Sequence, residues 1–293
     1  MKKIMLLGMI SLFMVAVSNA QDYKDLQALN TSSLKVYYSK GYDQRTQAIA
    51  QRVQHAMGYF EQLLHSRADV TLLVLSETDW PKYTSMPVVG MPHYKNSKEL
   101  VVAAHDNALW KSFIPPLNEL PESLATQIKN TYKTEDGTLS MQPFFDLLAI
   151  HELGHAFHFQ AGVQTQRKWM GELLVNMMLH TYIAVHEPQS LPALTVFPKM
   201  VIAGDTTGFK FTSLEDVHDR YDEIGSQHPK NYGWYQSRWH QAAAEIYDAE
   251  GVPAVQHLWN ALKSQTETLS HDALITYLEK SQSTGVARMI RNW

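Results

Sequence analysis

The chain contains no cysteine. That absence excludes disulfides, thiolate metal sites and a cysteine nucleophile, so any metal chemistry must draw on histidine, aspartate and glutamate. Positive charge is also short: 25 Lys and Arg stand against 29 Asp and Glu, a net charge of −4. No basic field exists to hold a nucleic-acid backbone. Flexible linkers, internal repeats and low-complexity runs are missing as well. Long hydrophobic runs are absent except at the start, where Lys2 and Lys3 precede an apolar stretch from Ile4 to Val17, followed by Ser18-Asn19-Ala20. That stretch, interrupted by Gly8 and Ser11, is too short for a hydrocarbon core of roughly 30 Å. The pattern predicts a secretory signal peptide over residues 1–20, an exported protein (periplasmic or extracellular) and no stable membrane span after cleavage. Loss of Lys2 and Lys3 moves the net charge from −4 to −6.

What remains is an ordinary globular composition, 45% hydrophobic and 18% charged, with 14 histidines, roughly double the usual share. Strand signals fall at Leu34–Tyr38, Val70–Leu75 and Glu99–Ala104, and an amphipathic helix at Asp43–Leu64 carries Ile49, Val53, Met57, Phe60 and Leu64 at helical spacing. From Leu120 the pattern turns helical, over 122–132, 141–160, 168–186, 214–224, 232–250, 252–265 and 272–280. The expected architecture is α+β: a small sheet-containing N-terminal lobe, residues 21–140, packed on a mostly helical lobe, residues 141–293. A pocket is expected at their junction, near residues 140–160.

Chemistry concentrates in that junction. Within a predicted helix, His151-Glu152-Leu153-Gly154-His155 is an HExxH motif, whose histidines, four apart, lie on one helix face. Two neutral imidazoles suit Zn²⁺, while Glu152, rotated about 100° from His151, can reach a water at the ion rather than the ion itself. Chance would supply about 0.03 such motifs in a chain of this histidine and glutamate content. A third ligand is needed. His158 lies about 10.5 Å along the axis from His151, too far to converge with it on one ion. The metzincin continuation fails because His158 and Ala161 stand where Gly and His belong. Glu172, after a turn at 162–166 and a returning helix, completes a His, His, Glu set, and Asn176, one turn further, can accept the outer N–H of a ligating imidazole. Apolar Leu148, Ile150, Leu153, Ala156 and Phe157 surround the motif, and Gly154 permits close approach of another element.

His151–His155 followed by Trp169-Met170-Gly171-Glu172 resembles the gluzincin metallopeptidases, in their thermolysin-like and alanyl-aminopeptidase-like branch. The resemblance implies a zincin-like fold with the metal site at the lobe junction and zinc held by His151, His155 and Glu172. It further implies Glu152 as general base and a peptide or protein substrate aligned on an edge strand, which here falls to Glu99–Ala104. A downstream Tyr or His would stabilise the oxyanion; Asn231-Tyr232-Gly233-Trp234-Tyr235 points to Tyr235, with Tyr232 and His240 behind it. The acidic residue with which the aminopeptidase branch binds a free amine has no counterpart in Val89-Gly90-Met91-Pro92-His93, which leaves endo- and exopeptidase action both open. The expected function is an exported zinc metallopeptidase. The competing readings are a catalytically degenerate zincin-fold binding or scaffold protein of the cell envelope, and a helical envelope protein with an accidental motif. His158, His180 and His186 read as packing or surface residues, and the Trp234–Trp239 stretch reads as core.

Overall fold

The computed structural model describes residues 23–31, 33–134 and 136–293. The predicted signal peptide lies outside them. The chain begins with β1 (Gln27–Asn30), β2 (Lys35–Tyr38), α1 (Asp43–Leu64), β3 (Thr71–Leu75), α2 (Trp80–Tyr83), β4 (His93–Tyr94), β5 (Glu99–Ala103), α3 (Ala108–Ser112) and α4 (Glu122–Tyr132). The five strands form one mixed sheet in the order β1-β2-β3-β5-β4. β2, β3 and β5 are parallel, while β1 and β4 pair antiparallel at the two edges. Parallel neighbours need a crossover, and α1 supplies it between β2 and β3. Its Ile49, Val53, Met57 and Phe60 are buried, as the helical spacing requires.

The expected edge strand is displaced. Leu100 to Ala103 are all buried, the signature of an interior parallel strand, and β5 pairs with β3 on one side. On its other side Val101 and Leu100 face His93 and Tyr94 of β4. The edge therefore belongs to a strand of two residues, too short to show as an alternating pattern and embedded in the segment that proline and glycine punctuate.

The second half contains α5 (Gln142–Gln160), α6 (Lys168–His186), α7 (Leu191–Ala203), α8 (Leu214–Asp219), α9 (Tyr221–Gln227), α10 (Pro229–Glu250), α11 (Pro253–Ser264), α12 (His271–Lys280) and α13 (Thr284–Arg291). The class is α+β, with thirteen α-helices among the described residues. The helix expected over 214–224 breaks at Arg220, whose φ of −120° and ψ of 26° are not helical. Helices α7 and α13 lie outside the predicted set.

α6 is the axis of this half: every residue from Trp169 to Ile183 is buried. A helix apolar and buried all round is a core element, so polar side chains on it need partners. α5 packs between α6, α1 and the β5–β4 side of the sheet. Arg45 of α1 grips Asp146 of α5 through both guanidinium nitrogens, and Arg52 pairs with Glu187 at 2.9 Å just beyond α6. One hydrophobic core runs through sheet and helices alike. Among the described residues no helix is long and apolar enough to cross a membrane.

Candidate metal centre

The helix pair α5 and α6 builds the centre. His158 lies against Gly171, Gly154 against Val175, and His151 against Asn176, so the two helices run antiparallel. Gly154 sets their separation. A Cβ there would come within 3.0 Å of the Val175 Cβ and Cγ1, so any side chain would push the helices apart. Glycine in a helix interior costs about 1 kcal/mol relative to alanine, and here the close approach offsets it.

At that separation Glu172 of α6 faces both histidines of α5. Its Oε2 is 3.3 Å from His151 Nε2 and its Oε1 is 3.6 Å from His155 Nε2. Charge-assisted N–H···O bonds are shorter, about 2.7–2.9 Å. Ligand atoms on a tetrahedral ion at about 2.0–2.2 Å stand about 3.4 Å apart, which matches both separations. One ligand atom from each of the three residues falls within 4.8 Å of the others. His151, His155 and Glu172 thus form a buried group able to hold a metal ion. Burial works to raise the Glu172 carboxyl, but His155 and His151 outweigh it and hold the group well below the usual carboxylate range. Charge on Glu172 is therefore maintained in a dry setting, where a cation gains most from it.

Around this group the expected outer contact is present: His151 Nδ1 lies 3.1 Å from Asn176 Oδ1, which fixes the Nδ1–H tautomer and turns Nε2 toward Glu172. His155 Nδ1 is buried without a partner. The carboxylate of Glu152, between the two histidines in sequence, makes no hydrogen bond among the described residues, and burial raises its carboxyl, with His151 and His155 opposing. From the sheet side Tyr94 of β4 presents a buried hydroxyl that also lacks a partner and feels the Glu152 charge.

The opposite wall comes from α9 and α10. Tyr221 donates to Glu172 Oε1 at 2.7 Å, and Gln236 Nε2 donates to Glu172 Oε2 at 2.9 Å and to the Tyr232 hydroxyl at 2.8 Å. The Tyr221 and Tyr232 hydroxyls are 3.0 Å apart. Since the Tyr221 proton is committed to Glu172, Tyr232 must be the donor in that contact. Both phenols are raised, burial being the largest cause. The break at Arg220 starts α9 at Tyr221, beside Glu172; no proline or glycine marks it, so the sequence carries no sign that Tyr221 reaches the site. Gln236, one turn from Tyr232, was legible only by its i,i+4 spacing.

Tyr235, the residue to which the resemblance gives the oxyanion role, is not brought to this cluster. Its hydroxyl donates to the Ser213 carbonyl at 2.8 Å, and its ring stacks on Trp239 and Trp293. The cause is helical phase: at about 100° per residue Tyr235 points one quadrant away from Gln236. Tyr232, Gln236 and His240 share the face toward α6. His240 stands with its ring 6.3 Å from that of His151, and burial drives its pKa down to about 3. It lies near the three residues able to hold a metal ion but outside their group. Trp234 and Trp239 are core, His158 and His180 are buried packing residues, and His186 is on the surface. Comparisons with family models, curated proteins and solved structures find no match to this chain.

Proposed function

We propose that this chain is an exported zinc-dependent metallopeptidase of zincin-like architecture, with His151, His155 and Glu172 as ligands. The observation that supports it most is the Glu172 carboxylate standing at tetrahedral-edge distances from both Nε2 atoms, with the unpaired Glu152 carboxylate beside them. Two histidines and a glutamate, with Cys excluded, are a donor set for a borderline cation such as Zn²⁺. The bound ion would supply Lewis acidity, which polarises a peptide carbonyl and makes water acidic enough to attack it near neutral pH.

The chain's own residues do the rest. Glu152 accepts the proton of the attacking water and delivers it to the departing amine nitrogen, a role for which a raised carboxyl without competing hydrogen bonds is suited. The oxyanion role falls to Tyr232 rather than Tyr235: Gln236 donates to its oxygen, and its proton, directed at the Tyr221 hydroxyl in the resting site, turns to the developing charge. β4, the true sheet edge beside α5, offers unpaired backbone groups to an extended peptide.

Glu152→Gln tests this reading. It keeps size and polarity but removes the base, so metal content is expected to stay near one ion per chain while cleavage of a quenched-fluorescent peptide library falls by about 10²–10⁴-fold. Unchanged cleavage in the variant would remove Glu152 as base. Absence of cleavage in the wild-type, metal-loaded chain would favour the scaffold reading.

A further inference from the structure

On the side of α10 turned away from Glu172, a cavity of about 290 Å³ lies between α10 and α13, and Arg238, Gln241, Glu245, Arg288, Asn292 and Trp293 line it. Nothing in the metal chemistry uses it. The guanidinium carbon of Arg238 sits 4.1 Å from the centroid of the Trp293 ring and 5.2 Å from that of Trp234. The two indoles, 6.1 Å apart and nearly perpendicular to each other, form a corner against which the cation packs. Its N–H edge carries five donors, yet among the described residues the Arg238 side chain makes no hydrogen bond and no ion pair. The Arg288 side chain, on the facing helix, is likewise without either. A half-buried guanidinium with no acceptor is an unusual state, since burying a charge is costly unless it is paired. Burial lowers the Arg238 pKa, with Glu245 and Tyr235 opposing.

The charges lining the cavity define the missing partner. Glu245 accepts from Gln241 Nε2 at 2.7 Å and pairs with neither arginine. Among the lining side chains, two guanidiniums and one carboxylate leave a single positive charge. A monoanion neutralises it, whereas a phosphate dianion would leave the cavity negative. The planar fork of arginine matches the two oxygens of a carboxylate, and packing the guanidinium against the two indoles lowers the ordering cost of binding. Asn292 and Gln241 add neutral polar groups at the wall.

We propose that this cavity is a binding site for a small carboxylate monoanion, held by the Arg238 fork with Arg288 opposite. The site is separate from the metal centre: Gln236 and Arg238 are two positions apart on α10 and so point about 200° apart around it.

The test titrates N-acetylglycine, its uncharged amide and inorganic phosphate into the metal-loaded chain, read by calorimetry and by tryptophan emission, because Trp234 and Trp293 flank Arg238. N-acetylglycine is expected to bind saturably with Kd below about 1 mM, the amide not at all and phosphate at least about tenfold more weakly. Arg238→Lys, which keeps the charge and loses the fork, is expected to weaken binding about tenfold. Arg288 is exposed, so Arg288→Gln preserves the fold and is expected to weaken binding several-fold while leaving metal content unchanged. No saturable binding by the wild type, equal binding of the amide or of phosphate, or binding indifferent to Arg288→Gln would each overturn the assignment.

Discussion

Residues 151–176 and residues 221–240 both converge on the Glu172 carboxylate, the first from two helices joined by residues 161–167, the second from α9 and α10 much later in the chain. In the first stretch the helical period does most of the work. His151 and His155 share a face by their spacing, Glu172 and Asn176 share another, and Gly154 lets the two faces meet. In the second, the period says only that Tyr232 and Gln236 are neighbours. Which face of α10 turns to α6 depends on the Trp234, Tyr235 and Trp239 side packing against Trp293 and the Ser213 carbonyl. Ligand geometry is therefore local, and the cradle that orients the ligand is tertiary.

This contrast orders the expected effects of substitution. His155→Ala deletes a ligand outright. Metal content by mass spectrometry is expected to fall from about one ion per chain to near zero, because two remaining ligands hold Zn²⁺ poorly. The rise in Tm on adding metal is expected to vanish with it. Retention of the ion would detach the motif from the site. Glu172→Ala comes next: affinity measured against a competing chelator is expected to drop by more than about 100-fold, above the 10–100-fold typical of outer contacts. A smaller loss would demote Glu172 to an outer partner and sharpen the contrast differently.

Gly154→Val attacks the approach of the helices rather than any ligand. Overpacking against Val175 is expected to cost about 1–3 kcal/mol in denaturant unfolding and to weaken metal binding together with it. An unchanged metal affinity would show that the helix separation is slack. The smallest pair compares the two faces of the late stretch. Tyr221→Phe removes a charge-assisted bond to Glu172 and is expected to weaken the metal about tenfold. Tyr235→Phe is expected to leave metal affinity alone and to cost only about 1 kcal/mol of stability, for a neutral bond to a carbonyl. Equal effects on metal binding would erase the distinction between the faces.

The legible parts of the fold share one property: their information is short-range. The helix over Asp43–Leu64 is legible from its apolar stripe to the residue, and Lys168–His186 from its continuous apolar composition. α7 escaped because Pro192 and Pro198 mark it as interrupted, although Pro192 occupies the first turn, where a missing N–H costs nothing. β4 escaped because two residues carry no period. The break at Arg220 escaped because neighbouring helices impose it, and with it went Tyr221. The three candidate ligands and Asn176 are legible for the same reason that the helices are: four-residue spacing on straight helices leaves little freedom. Tyr235 is misplaced because choosing among Tyr232, Tyr235 and His240 on α10 needs the orientation of the helix, which only its distant partners fix.

The central claim is that His151, His155 and Glu172 close on a single ion. Crystals grown with Zn²⁺ and measured on both sides of the zinc absorption edge test it directly. The account expects one anomalous peak, about 2.0–2.2 Å from the Nε2 atoms of His151 and His155 and from a Glu172 oxygen. No peak between these residues, or a peak whose third protein ligand is His240 with Glu172 turned away, would contradict it.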